Sequence, residues 1–145
     1  MRKSNSPGSA TVMPTMRYRD ANAAIEWLSK AFGFEKKVAY TAENGDVMHA
    51  ELTYGDGMIM LGSARDDELS QYMGVPAEIG GRSTGCAYVV VDDAQLHHDR
   101  AVAAGAKIVR PLTTEPHGSM YCCTDLEGHL WCFGDYDPWE SPAAA

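Results

Sequence analysis

His49 and Glu51 stand two residues apart in "DVMHAELTY". Alternate side chains of a β-strand share a face, so this pair presents an imidazole and a carboxylate side by side. The two could serve as a general base or hydrogen-bond a ligand hydroxyl; equally, they could only brace a wall. Four cysteines, Cys86, Cys122, Cys123 and Cys132, form the other reactive set. They make no Cys-x-x-Cys pattern, which argues against a zinc knuckle. Cys122 and Cys123 are neighbours, so within a strand they point to opposite faces and cannot chelate one ion together. Arg17 offers a guanidinium for an anionic ligand group, or for an internal ion pair with Glu51. The other histidines read as structural: His97 on a packed helix stripe, His98 at the surface, His129 bracing a turn and His117 in a loop at a cleft mouth.

These side chains need a scaffold, and the chain supplies one twice. "MPTMRYRDANAAIEWLSKAFGF" begins at Met13 and "CAYVVVDDAQLHHDRAVAAGAK" at Cys86, an offset of 73 residues. Each opens as a short strand and reaches an Asp seven residues on, Asp20 or Asp93. A carboxylate there can accept the free N–H groups of a helix's first turn. Each predicted helix then stops at a glycine, Gly33 or Gly105, suited to a left-handed C′ position. Ala24, Ile25, Leu28, Ala31 and Phe32 give the first helix its apolar face; Ala94, His97, Ala101 and Ala104 give the second its stripe. Three strand signals follow each helix, so β-α-β-β-β occurs twice. The division is a leader at 1–10, a module at 11–63, a linker or lid at 64–84, a second module at 85–139 and a tail at 140–145. The linker carries one expected short helix near Asp66 to Tyr72.

Hairpin turns set which side chains share a face. A two-residue turn at Gly55-Asp56 pairs Glu51 with Met60. His49, Glu51, Thr53, Met58 and Met60 then share one face, and Ala50, Leu52, Ile59 and Leu61 the helix side. A four-residue turn from Asp125 to Gly128 pairs Tyr121 with Cys132 and Cys123 with Leu130. That register sends Cys122, Trp131 and Phe133 to the helix side and turns Tyr88, Tyr121 and Cys132 into the cleft. Trp27 is expected between helix and sheet.

The totals exclude several partners. A formal charge of −8 without Lys/Arg clusters is the wrong electrostatics for nucleic acid. No apolar run reaches the roughly 18–20 residues of a membrane span. "MRKSNSPGSA" has no apolar stretch behind its basic start and reads as a flexible leader, not a signal peptide. A reduced, cytoplasmic setting follows as the expectation for the cysteines.

"PTMRYRDANAAIEWL", "AYVVVDDAQLHHDRAVAAGA" and "DLEGHLWCFGDYDPW" resemble the vicinal oxygen chelate superfamily, in its bacterial glyoxalase/bleomycin-resistance branch. The resemblance implies an α+β fold, with two paired βαβββ modules forming curved mixed sheets around a cleft. It also implies metal ligands, in metal-dependent members, from the first and last strands of each module. Those positions fall here on Met13, Met60, Cys86 and Cys132, none of them His, Gln, Glu or Asp. Divalent metals of that class prefer nitrogen and oxygen donors. Two thioethers and two thiols could hold a soft ion such as Cu(I), or simply fill a pocket wall; Cys86 and Cys132, on neighbouring strands, could also form a disulfide if their Cβ atoms approach within roughly 4.5 Å. Near "TTEPHGSMYCC", Pro116, His117, Ser119 and Met120 replace a glycine- and arginine-containing segment usual in that branch, which implies a different ligand.

The expectation is therefore a metal-independent binding protein for an aromatic or antibiotic-like small molecule, with no cofactor and no metal. Met13, Met58, Met60, Cys86, Tyr88, Tyr121 and Cys132 would line one cavity, with Arg17, His49 and Glu51 as polar contacts. The resemblance, with open sheet edges, implies a homodimer. The alternative is a glyoxalase- or dioxygenase-type enzyme with atypical ligands.

Overall fold

A computed structural model describes residues 10–140, so the leader and tail read at 1–10 and 140–145 lie almost wholly outside the described residues. The first module runs β1 (Thr15–Tyr18), α1 (Ala21–Phe32), β2 (Glu35–Thr41), β3 (Val47–Tyr54) and β4 (Gly57–Ser63). The second runs β5 (Ala87–Val90), α2 (Ala94–Ala103), β6 (Lys107–Glu115), β7 (Gly118–Thr124) and β8 (Leu130–Gly134). Each module makes its own four-stranded sheet, ordered β1-β4-β3-β2 or β5-β8-β7-β6. The first strand of each lies parallel to the last, and the other neighbours are antiparallel. This is the expected α+β fold of two βαβββ modules with mixed, open sheets.

Local chemistry explains the helix ends. The Asp20 carboxylate accepts from Ala23 N–H at 3.0 Å, and Asp93 accepts from Leu96 N–H at 3.0 Å. Gly33, at φ 88°, closes α1 in the left-handed conformation that a side chain would strain. The buried residues of α1 include all five of the predicted apolar face. In α2, Ala94, His97 and Ala101 are buried as the stripe requires.

The two helices pack against each other, and a single core runs through both modules. Phe32 of α1 reaches the other sheet, its ring centroid 4.6 Å from Phe133 and 5.4 Å from Trp131. Trp27 is not enclosed between its own helix and sheet as expected. It is half-buried and donates its indole N–H to the Ala104 carbonyl at 2.9 Å, tying α1 to the end of α2. Arg100 donates to the Lys30 and Ser29 carbonyls at 2.8 and 2.9 Å, satisfying the C-terminus of α1. Truncating Phe32 to Ala would remove one of the aromatics that join the modules, at a cost of about 3–5 kcal/mol.

The helices therefore lie between the sheets, and each sheet's other face is left open on the outside of the chain. In β3 and β4, Ala50, Leu52, Ile59 and Leu61 are buried beneath α1, while His49, Glu51, Thr53, Met58 and Met60 take the open face. The predicted register of this hairpin holds, with Glu51 opposite Met60.

The second hairpin differs by one residue. Cys122 pairs with Cys132, Tyr121 with Phe133 and Cys123 with Trp131. The turn is longer than a four-residue one because Asp125 organises it. Its Oδ1 accepts from Glu127 N–H and His129 N–H, both at 3.0 Å, and Asp125 N–H donates to the His129 carbonyl at 2.9 Å. His129 thus joins the turn, and β7 slips by one position against β8. A slip of one residue exchanges faces. Tyr121 and Cys123 go under α2 beside Trp131 and Phe133, and Cys122 joins Cys132 on the open face.

Between the modules, 3-10 helical turns form at Glu68–Gln71 and Pro76–Ile79. The first matches the helix expected near Asp66 to Tyr72. Asp67 caps it, its Oδ1 accepting from Leu69 and Ser70 N–H at 3.1 Å. No helix among the described residues is long and apolar enough to cross a membrane.

Candidate binding cleft

The open face of the first sheet carries the His49–Glu51 pair. His49 Nε2 stands 2.9 Å from Glu51 Oε2, and Lys37 Nζ stands 3.5 Å from Oε1. The His49 contact, helped by Lys37, lowers the Glu51 carboxyl below its ordinary range despite partial desolvation. An ionised carboxylate only accepts, so Nε2 is the donor. Tyr40, opposite His49 on β2, stacks on the imidazole with centroids 6.3 Å apart. Nearby lies a cavity of about 200 Å³ whose wall includes Arg17, His49, Met60, Leu69 and Met73.

Arg17 is buried, and its partner is not Glu51. Nη1 and Nη2 donate to Asp67 Oδ1 and Oδ2 at 2.9 and 2.6 Å, and Nη1 donates again to the Arg65 carbonyl at 3.1 Å. This fork fixes the linker to β1. It holds the Asp67 carboxyl below its ordinary value through hydrogen bonding and charge. Glu51 lies opposite Met60, two positions along β4 from Gly62, the partner of Arg17, so Asp67 and not Glu51 meets the guanidinium.

A larger cavity of about 450 Å³ lies between β1 and the approach to β5. Its wall is mostly linker: Tyr72, Met73, Val75, Pro76 and Ile79 supply apolar surface. Met16, Leu130 and Trp131 complete it, with Arg17, Arg82 and His129 as polar rim. His129 Nε2 donates to the Arg17 carbonyl at 2.8 Å, so the turn histidine also holds β1. Ser83 Oγ accepts from Leu130 N–H at 3.1 Å, anchoring the end of the linker to β8.

The open face of the second sheet carries Cys86, Tyr88, Cys122 and Cys132. Cys86 Sγ and Cys132 Sγ are 3.8 Å apart, both as free thiols. Burial and the neighbouring thiols push the Cys132 thiol well up, so it is neutral near neutral pH. Tyr88 is part exposed and donates its hydroxyl to the Tyr136 carbonyl at 2.8 Å.

The residues expected to share one cavity are thus distributed. Met60 borders the smaller cavity and Cys86 the larger; Met13, Met58, Tyr88 and Cys132 border neither. Tyr121 is withdrawn entirely, fully buried with its hydroxyl 2.6 Å from His97 Nδ1. The physical reason is that α1 packs against α2 while no strand of one sheet packs against a strand of the other, so the two sheets do not wrap one common cleft among the described residues. His97 is a packed, hydrogen-bonded core residue as expected, its Nε2 donating to the Phe32 carbonyl at 2.9 Å. His98 is half-buried, and His117 is exposed against the Tyr136 ring.

Several contributors escaped the sequence reading. Asp67 lay in a linker read only as a lid, and the apolar run inside "SQYMGVPAEI" was the available signal for the cavity wall. Asp125 was read only as a turn residue. Its Oδ2 accepts from Tyr18 Oη at 2.6 Å and Trp131 Nε1 at 3.0 Å, joining β1 to β8 across the core.

Metal-dependent relatives of this fold need a donor set, and the one present does not fit a divalent ion that prefers nitrogen and oxygen. Met13, Met60, Cys86 and Cys132 supply thioethers and thiols, and no group of three or more His, Cys, Asp or Glu side chains is gathered for a metal among the described residues.

Comparison with known proteins agrees with this architecture. An uncharacterized protein of Mycobacterium bovis is 29% identical over 126 residues, covering 83% of this chain and 80% of its own. The crystal structure of TioX from Micromonospora sp. ML1 is similar with a TM-score of 0.71 and 31% identity, over 89% of this chain and 100% of TioX. The fosfomycin resistance protein FosX from Mesorhizobium loti shares the fold at a TM-score of 0.64 and 17% identity, over 89% of this chain and 93% of FosX. The sequence pattern of one family matches residues 11–133, nearly all of both modules. This chain belongs to the glyoxalase/bleomycin resistance protein/dioxygenase superfamily.

Proposed function

We propose that the chain is a metal-independent binding protein for a bulky, partly aromatic, antibiotic-like molecule, held in clefts completed by a second copy. The observation that carries this is the chemistry of the superfamily's donor positions. Met13, Met60, Cys86 and Cys132 offer polarizable, uncharged surface that suits an apolar ligand better than a hard cation. Tyr40, Tyr88 and the His49 ring add flat faces with polar tips on the same open surfaces. Of these positions Cys86 also borders the cavity of about 450 Å³, a size that accepts a drug-like molecule.

The position of the sheet edges supports a homodimer. β1 and β5 are edge strands, one in each sheet, and the open faces look outward. A partner that sets its second sheet against the first sheet of this chain covers an edge and closes a cleft, twice by symmetry. Each cleft would then hold His49, Glu51, Met58 and Met60 from one chain, with Tyr88, Cys86 and Cys132 from the other. Fosfomycin resistance in a protein of the same fold supports antibiotic-like ligands as the class to test. The free cysteines support a cytoplasmic setting. Neither nucleic acid nor membrane is a partner in this reading.

One observation favours a second reading, a glyoxalase- or dioxygenase-type enzyme with atypical ligands: the His49 imidazole, oriented by Glu51 at 2.9 Å, is placed like a general base. Metal analysis of protein purified without chelator, with a methylglyoxal isomerase assay and sedimentation, separates the two. The expected result is substoichiometric nickel, zinc and iron, no isomerase activity and a dimer at micromolar concentration. Stoichiometric metal lost on substituting Cys86 or Cys132 would establish the enzyme reading, and a monomer would remove the shared cleft.

A further inference from the structure

We infer that Cys86 and Cys132 are a reversible dithiol–disulfide pair, oxidised by a small-molecule disulfide to form a covalent strap between the linker's end and β8. The pair belongs to the open face of the second sheet but borders the larger cavity through Cys86, and neither the superfamily nor its usual chemistry assigns it. The proposed function places the same two cysteines in its cleft, but the pair itself needs no bound ligand and no partner chain.

Geometry is the first support. The two sulfurs are already in contact at 3.8 Å. In the parallel ladder Cys132 lies opposite Tyr88, so Cys86, two residues earlier, shares its face. A disulfide requires the sulfurs to close to about 2.05 Å. The freedom for that movement lies on the Cys86 side. Gly85 and Cys86 precede β5 and belong to no strand, and nothing stands within 4 Å of the position a Gly85 side chain would fill. Cys122, directly opposite Cys132, is the competing partner. It is buried in β7, held by ladders on both sides, with no such slack.

Accessibility sets the order of steps. Cys86 is exposed, and Cys132 is only partly so. The Cys86 thiolate attacks one sulfur of the small disulfide, forming a mixed disulfide and releasing one thiolate. Cys132 then loses its proton and attacks the Cys86 sulfur, expelling the second. Two protein thiols are oxidised, one small disulfide is reduced to two thiols, and the two protons pass to those products. Because burial keeps Cys132 protonated, no Cys132 thiolate stabilises the reduced form, unlike the thiolates of strongly oxidising disulfides. The resulting strap pins the segment that carries Arg82 and Ser83 along the cavity rim.

The test is incubation of the reduced chain with excess oxidised glutathione, acid quench, alkylation and peptide mass mapping. The expected product is one intrachain Cys86–Cys132 link, reversed by dithiothreitol. C122S should still form it, and C86S and C132S should not. Trypsin should cut after the exposed Arg82 several-fold more slowly in the oxidised chain. A Cys122–Cys132 link, a link between chains, or a glutathione adduct that stays on Cys86 would overturn the pair. Unchanged cleavage after Arg82 would overturn the strap.

Discussion

Tyr121 Oη stands 2.6 Å from His97 Nδ1, in a core where both side chains are buried. The opposite nitrogen of the same ring reaches the Phe32 carbonyl, which can only accept. His97 therefore carries its proton on Nε2, and Nδ1 accepts from the tyrosine. One imidazole thus couples the sheet of the second module to the helix of the first. Replacing Tyr121 with Phe leaves Nδ1 buried without a donor. The expected loss is about 1–3 kcal/mol in denaturant unfolding, with the fold retained. An unchanged midpoint would mean that the bond contributes nothing net.

The same ring gives a pH dependence. Burial, with the Arg100 charge, lowers the His97 value below its ordinary 6.5, against the opposing bond to Phe32. The folded chain then binds fewer protons than the unfolded one between the two values. Stability from His97 is complete above about pH 6.5 and falls as pH drops toward the folded value. His97→Gln should flatten this slope, measured as the difference in unfolding midpoint between about pH 7.5 and about pH 5.5. An equal slope in the variant would assign it to another group.

The Arg17–Asp67 fork predicts a change in the linker rather than in the core. Asp67→Asn replaces a charged, two-oxygen acceptor by an amide that matches only one arm of the guanidinium. Proteolysis within 65–82 should accelerate severalfold, with little change at the helices. Because Arg17 lowers the Asp67 value, the native fork holds at neutral pH and weakens only as pH falls below about 3.8, through the folded value. Linker cleavage that matches the parent chain would show that other contacts hold it.

Why some of this was legible follows from periodicity. The Asp-helix-Gly pattern, repeated at 20–33 and 93–105, fixes both modules because capping and apolar spacing are local properties. The first hairpin was readable because Gly55-Asp56 leaves no choice of loop length. The second was not, since Asp125 enlarges its turn through a carboxylate bonded to two later N–H groups. That cost one residue of register and moved Tyr121 from ligand candidate to core. The partner of Arg17 and the direction of each open face depend on how the modules pack. No strand alternation encodes that.

Asp125 should be the most sensitive polar residue in the core. Its removal to Ala leaves the buried Trp131 indole N–H without an acceptor and the Tyr18 hydroxyl with only the weak Met16 thioether at 3.7 Å, at about 1–3 kcal/mol each. It also frees the turn that sets the β7–β8 register. Asp125→Asn keeps the shape and one acceptor oxygen, so stability should order parent above Asn above Ala. Near-equal midpoints for Asn and Ala would show that the charge, not the acceptor count, is what the site uses.

Gly62 and Gly134 occupy equivalent places in the last strands of the two modules, and they are tight for different reasons. A methyl added at Gly134 would stand 2.6 Å from Tyr88 Oη and 3.0 Å from both Met120 Cβ and the Ser119 carbonyl. At Gly62 the nearest atoms are the Met48 and Val47 carbonyls at 3.2 and 3.3 Å, both backbone. Both glycine-to-alanine changes overpack their site, and Gly134→Ala should cost about 1–3 kcal/mol. Only at Gly134 is the closest atom removable. Tyr88→Phe deletes the obstructing hydroxyl, so adding it to Gly134→Ala should recover part of the loss, while adding it to Gly62→Ala should recover none. A double-mutant cycle in denaturant reads the coupling directly. Equal loss from Gly134→Ala with and without the Tyr88 hydroxyl would mean that the Met120 and Ser119 contacts alone set the limit, and that Tyr88 is free to move on the open face.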